Sequence, residues 1–256
     1  MTGWGQRGPW AMKAGHDVNY ISITGILHAI GTRESPTIPL NLVGDFAGGS
    51  MFLASGILVA LLERVHSGAG QVIDGAMVDG IAQLSGSHSF PICSDRYEVR
   101  ASGWMSGRRT CSTVARHTRP LTAVPTIDTL RSVPSGRSSM LRSWPGSVLM
   151  PMICQAKTTR GRWPELRLII GDRIAAKTRD EWARIFEGTD ACATPVLSMD
   201  EAPRHPHLAD RGVFKESDGV LQPAPAPRFS RSAADPQLLP IETVAIEAAL
   251  NRWEKG

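Results

Sequence analysis

The spacing of apolar and polar positions separates ordered stretches of the chain from one that has no period. Residues 1–88 read as α/β sequence, in which Tyr20 to Ile30 (YISITGILHAI) alternates apolar and small residues ahead of a Pro-rich loop through Pro36 and Pro39. Gly44 to Ser50 (GDFAGGS) follows as a glycine-rich turn, and a helix is predicted from about Met51 to His66, closed by Ser67-Gly68. Asp45 is thereby placed just before a helix. Gln71 to Asp74 reads as a short buried strand and Met77 to Leu84 as the start of another helix.

Between about residues 89 and 160 neither period is sustained, and Gly, Pro, Ser and Arg are scattered rather than set at element ends. Order returns at Gly161. Trp163 to Leu166 opens a helix, Arg179 to Phe186 (RDEWARIF) forms another, and Ala193 to Leu197 looks like the entry to a buried strand. Leu221 to Ser232 is an extended Pro-rich segment, and Ile241 to Glu254 is a last amphipathic helix. This gives four parts: 1–88, a larger α/β unit; 89–160, poorly ordered; 161–220, the rest of a smaller domain; and 221–256, the Pro-rich segment and final helix.

With 256 residues of which 42% are hydrophobic, the chain has enough apolar material for a core. The longest apolar run, Met51 to Leu62, is broken by Ser55 and Gly56 and is too short to cross a bilayer, so no membrane segment is expected. The start MTGWGQRGPW lacks the pattern of a secretory leader, which makes the cytoplasm the expected location. Cys93, Cys111, Cys154 and Cys192 show neither CxxC spacing nor a matching His cluster, so no metal site or disulfide framework is expected. Of 28 Lys and Arg and 24 Asp and Glu, 11 and 3 lie between His88 and Arg160, leaving 17 and 21 elsewhere. The net charge of +4 is therefore the product of one basic block, which has no aromatic stacking pattern or amphipathic period of the kind nucleic-acid binders use.

Three strings then carry a resemblance: Met1 to Tyr20 (MTGWGQRGPWAMKAGHDVNY), Asn41 to Met51 (NLVGDFAGGSM) and Gly68 to Gly80 (GAGQVIDGAMVDG). A further match runs from Gly161 to Glu201 and on through Pro206-His207 to Pro225–Ser230. Together they resemble the α-methylacyl-CoA racemases of the CaiB/BaiF, or family III, CoA-transferase superfamily, and the pairing of GHD with GDFxGGSM separates them from the formyl-CoA-transferase branch.

The resemblance implies a partial family III fold, part of a large Rossmann-like domain with a smaller α+β domain, acting on an acyl-CoA thioester without metal or redox cofactor. It implies that His16 and Asp45 are the two acid/base groups on opposite faces of the substrate α-carbon. It also gives the backbone N–H of Asp17 to the enolate oxygen, sets Tyr20 and the Gly48-Gly49 turn along the same site, and implies interlocked homodimers. His28 is expected to pack on an apolar face, and His205 and His207 to lie in a Pro-rich turn.

Two departures from the family pattern stand out. The chain begins inside a family motif, so the N-terminal Rossmann-like portion that holds much of the CoA-binding surface is expected to be missing, leaving an open sheet and exposed apolar faces. The basic block, in turn, reads as family sequence translated in the wrong frame. Codons built from the third base of one codon and the first two of the next turn Arg109 to Thr118 (RTCSTVARHT) into NVLDGGTPY, a family-like string, and Ser135 to Met140 into GAIEH. Leu149 to Thr159 becomes ADADDLPGQND and leads into the in-frame GRWPELR at Gly161. The competing reading, an inserted segment, fits less well because the flanks rejoin the family without extra length. The shift replaces with Ser138 and Ser139 a Glu that the resemblance pairs with the catalytic His. Activity is therefore expected to be impaired, with a family III CoA-transferase or a non-catalytic remnant as alternatives to the racemase.

Overall fold

The computed structural model describes residues 1–31, 36–86, 122–123, 176–189, 192–217 and 220–233. The first helix, α1 (Asp17–Ile23), starts at His16, whose backbone N–H donates to Asn19 Oδ1 at 2.9 Å, so a side chain three residues ahead closes the helix start. All of α1 is buried, and its hydroxyl and amide side chains find acceptors inside the fold. Ser22 Oγ donates to Val18 O, and the hydroxyl of Thr24 just past the helix donates to Tyr20 O at 2.9 Å. With α2 (Ile26–Ala29) this makes the alternating stretch Tyr20 to Ile30 largely helical.

The glycine-rich stretch is also helical. A π-helix over Leu42–Met51 runs without a break into α3 (Phe52–Ser67), so Asp45 stands inside the first turn of a helix rather than before one. Glycine reads as a helix breaker on propensity, but close packing against α4 (Met77–Leu84) overrides it. A Cβ on Gly48 would come within 2.5 Å of Ile81, and one on Gly80 would run into the carbonyl oxygen of Gly48. Gly48 and Gly49 are thus buried helix-packing positions, not a turn.

The continuity also makes the apolar helix longer than the run Met51 to Leu62. Leu42–Ser67 is 26 residues long and contains an 18-residue stretch with a mean hydropathy of 1.7, so by length and composition it could cross a bilayer, with 17% of that stretch buried. Counting only the unbroken apolar run missed this. Both ends of the helix are nevertheless tied to the globular body. Asp45 is bonded through Asp17 at one end and Glu63 to Arg231 at the other, while Gly56 lies against Pro227. The outer face leaves Ile57, Leu58, Val59, Leu61, Leu62 and Val65 exposed.

The strands are short. β1 (Ile73–Asp74) pairs antiparallel with β6 (Arg228–Phe229), β2 (Thr122–Ala123) with β3 (Thr194–Pro195), and β4 (Phe214–Ser217) with β5 (Val220–Pro223). Thr2 makes a parallel bridge to Ala76. Helix α5 (Arg179–Phe186) starts at Thr178, whose hydroxyl accepts from Glu181 N–H at 3.3 Å while the Glu181 carboxylate accepts from Thr178 N–H at 2.8 Å. Helix α6 (Pro206–Arg211) carries His207 at 0% exposure, so the expected Pro-rich turn is a helix with Pro at its first position. One hydrophobic core joins Trp4, Ile21, Ile23, Val78 and Ile81 to Val196, Leu197, Leu208 and Val213, drawing on both ends of the described chain. The helix expected at Trp163 to Leu166, most of residues 89–160 and the helix expected at Ile241 to Glu254 lie outside the described residues.

Beside this core sits a charged cluster. Asp79, 1% exposed, accepts from Arg211 Nε and Nη2 at 2.9 and 2.7 Å and from Arg228 Nε and Nη2 at 2.8 and 3.2 Å. Arg211 Nη2 also reaches Asp74 Oδ2 at 2.8 Å. Two paired forks on one carboxylate lock α4, α6, β1 and β6 together, and each buried charge has a partner.

Candidate functional site

His16 is exposed at the start of α1, on the residue that caps the helix, and so can meet a ligand from solvent. Its neighbour Asp17 is 7% exposed and points into the protein, where its Oδ2 accepts the backbone N–H of Asp45 at 2.7 Å. The backbone N–H of Gly44 is near enough to the same carboxyl group to favour its charged form. These amides belong to the first turn of the π-helix, where no earlier carbonyl is available within the helix; backbone bonding at the helix start begins with Phe46 N–H to Asn41 O at 3.3 Å. Asp17 thus caps a helix 28 residues further along the chain.

The consequence is geometric. The start of the helix that carries Asp45 is bound to the residue next to His16, and the partly exposed Asp45 side chain is held beside α1. Burial raises the Asp17 pKa to about 6 and the Asp45 charge pushes the same way, while the two backbone N–H groups oppose them. Asp17 Oδ1 is buried with no hydrogen-bond partner.

Tyr20, one turn along α1, is 7% exposed and packs edge-on against Trp4 with ring centroids 4.6 Å apart. Burial pushes its phenol pKa up, and the nearby Asp45, Cys192 and Asp17 add to this. Trp4 also meets Trp10 edge-on at 5.0 Å and His207 at 5.8 Å. His207 Nδ1 accepts from Trp10 N–H at 3.1 Å, which leaves Nε2 to carry the proton toward Trp4 O at 2.9 Å. Burial lowers the pKa of His207, in keeping with a neutral ring in a structural role.

Of the residues singled out in the sequence, Asp17, Tyr20 and Asp45 are brought together by the fold, with His16 next to Asp17 in the chain. Gly48 and Gly49 lie on the same π-helix but turn toward α4, Gly49 packing near Met77 and Met1. Ser138 and Ser139, where the supporting Glu was expected, lie outside the described residues. Sequence reasoning missed two groups. Asn19, 0% exposed, donates through Nδ2 to Cys192 O at 2.6 Å and Thr194 Oγ1 at 3.1 Å while its Oδ1 holds His16 N–H, so it fastens the His16 backbone to the 192–194 segment. Its place three residues after a helix-start residue was the available signal. The other is the Asp17 side chain, whose partner 28 residues away no local pattern could announce. Among the described residues, no three His, Cys, Asp or Glu side chains are grouped as a metal would require.

The profile of CoA-transferase family III matches residues 1–240. The chain belongs to that family. Mouse α-methylacyl-CoA racemase is 36% identical to it over 242 residues, covering 92% of this chain and 61% of that protein. Mouse succinyl-CoA:glutarate CoA-transferase is 24% identical over 276 residues, covering 100% of this chain and 60% of that protein. The chain therefore spans about three fifths of the length of these relatives. A solved CAIB/BAIF family protein from Brucella suis aligns over 91% of this chain and 61% of its own, with 21% identity and a TM-score of 0.33.

Proposed function

We propose that this chain derives from an α-methylacyl-CoA racemase and that its site is built to invert the α-carbon of 2-methylacyl-CoA thioesters by two-base proton transfer. The observation that supports this most directly is the Asp17 to Asp45 hydrogen bond, which sets the Asp45 helix beside the residue that follows His16. In this reading one of the pair, His16 or Asp45, takes the α-proton and the C–H electron pair moves into the thioester as an enolate. The other delivers a proton to the opposite face, and the enolate electrons return to carbon to form the new C–H bond. The product is the mirror configuration, and the two side chains have exchanged protonation states.

His suits this task because its unperturbed pKa is close to neutrality, about 6.5, and a carboxyl group can serve as the partner acid. The Asp17 N–H, first in α1, has no acceptor within its own helix and is offered to the enolate oxygen. Tyr20 borders the same site in this reading, while Gly48 and Gly49 pack the Asp45 helix against α4. The thioester itself makes the α-proton removable, so the reaction calls for no redox cofactor or metal. The described residues are taken as part of a larger Rossmann-like domain with a smaller α+β domain, and pairing with a second copy completes the enzyme.

The relative at 24% identity supports a second reading, acyl transfer between CoA and an acid, in which a carboxylate nucleophile forms an acyl-enzyme anhydride. One experiment separates them. The full chain is incubated in D2O with a 2-methylacyl-CoA, and in parallel with an acyl-CoA donor and a free acid acceptor. Deuterium at the α-carbon without CoA transfer supports the racemase, whereas transfer without α-exchange refutes it.

A further inference from the structure

We infer that the Asp17 side chain is a positioning residue for the proposed proton transfer: its carboxyl group clasps the helix bearing Asp45 to the helix start bearing His16 and so fixes the spacing between the two. The inference rests on the racemase reading for its functional part and on geometry for the rest. Asp17 Oδ2 holds Asp45 N–H at 2.7 Å, and Gly44 lies close against the same carboxyl group. Gly44 is buried, and a Cβ there would lie 2.5 Å from Asp17 Oδ2 and 2.7 Å from Cγ. The carboxyl group can therefore approach this closely only because residue 44 is glycine. On its other side Asp17 is held by α1, whose start is closed by Asn19 and anchored to Cys192 and Thr194.

The arrangement has a chemical point. Two acid/base groups acting on opposite faces of one carbon must keep a fixed separation, and a displacement of about 1 Å can cost on the order of a hundredfold in rate. Ser50 Oγ also bonds to Asp45 O at 2.9 Å, but that contact lies within the π-helix and does not tie it to α1. The Asp17 bond links the two elements that carry the pair.

The test uses the full chain with three variants, Asp17→Ala, Asp17→Asn and Gly44→Ala. Amide hydrogen exchange is followed in peptides covering residues 42–51, and kcat and KM are measured for α-deuterium exchange of a 2-methylacyl-CoA. Asp17→Ala should speed exchange at the Gly44 and Asp45 amides by about tenfold or more, as loss of a charge-assisted bond implies. Asp17→Asn, whose carbonyl oxygen can accept the same bonds, should recover the protection and most of the rate. Gly44→Ala should mimic Asp17→Ala with Asp17 intact, which keeps the test decisive if Asp17→Ala does not fold. In turnover, both disruptive variants should lower kcat with little change in KM.

Unchanged amide protection in Asp17→Ala and Gly44→Ala overturns the clasp. Loss of protection with full kcat overturns its positioning role. If the amides respond as expected but even the unaltered chain exchanges no α-proton, the clasp stands and the racemase reading fails.

Discussion

Ionisation of Asp17 should make the protein less stable as the pH rises through the acidic range. The group is 7% exposed and its pKa is raised from 3.8 to about 6, chiefly by burial. In the unfolded chain it loses its proton near pH 4, as an ordinary Asp does at about 3.9, while in the folded protein it keeps the proton to a higher pH. Between these two values the native state binds more protons than the unfolded state, so the stability of unfolding falls with pH. The contribution is complete below the unfolded pKa and is lost as pH rises through about 6.

A shift of about two units at 1.36 kcal/mol each gives about 3 kcal/mol across the window. Urea unfolding of the unaltered chain and Asp17→Asn, measured at intervals from pH 3.5 to 7.5, isolates the term because other carboxyl groups titrate in both proteins. The stability difference should move in favour of Asp17→Asn by up to about 3 kcal/mol as the pH rises, mostly between pH 4 and 6. A difference that stays constant, or moves toward the unaltered chain, would refute the assignment of a buried carboxyl group that costs free energy to ionise.

Other outcomes follow from the same contacts. Asp79→Asn removes the charge that holds Arg211 and Arg228, and it should lower stability by about 3–5 kcal/mol in urea unfolding; a loss under 1 kcal/mol would contradict the paired-fork account. Burial, with help from His207 and Lys13, lowers the pKa of His205 to about 4, so the stability His205 confers is complete above the unfolded value near 6.5 and is lost as pH falls toward 4. His205→Gln should flatten that acid limb in pH-dependent unfolding, and an unchanged limb would exclude it. On α3, Leu58 and Leu62 are 63% and 64% exposed, so changing both to Lys should leave thermal stability nearly unaltered while reducing self-association in sedimentation velocity. A large loss of stability instead would place those residues in a packed interior.

Local rules were sufficient wherever the forces were local. Thr178 and Glu181 bracket the start of α5 as a capping box, and the segment read as helical, Arg179 to Phe186, has those bounds. Met77 to Leu84 was legible for a similar reason, apolar spacing with clear breaks, whereas the buried strand expected over Gln71 to Asp74 is only the half-buried pair Ile73–Asp74, with Val72 exposed at the edge. The π-helix was not legible. Its glycines disfavour helix on propensity alone, and what makes them helical is the close approach of Gly48 to Gly80 and the cap from Asp17, both long-range contacts. The same error hid the full length of Leu42–Ser67.

At the site, the identities of His16 and Asp45 came from strings that resemble a family, not from spacing. Asp17 was read for its backbone N–H alone, and the structure gives its side chain a second partner across the fold. His207 looked like a turn residue because two prolines flank the region, yet its ring is buried and bonded at both nitrogens.

The central claim, that His16 and Asp45 act from opposite faces of one carbon, is tested most directly by following deuterium wash-in from each enantiomer of a 2-methylacyl-CoA separately. The measurement is made on the full chain and on His16→Ala and Asp45→Ala. The account predicts that the unaltered chain exchanges the α-proton of both enantiomers, and that each variant loses exchange with one enantiomer while keeping some with the other. No α-exchange by the unaltered chain, or equal loss with both enantiomers in each variant, would contradict it.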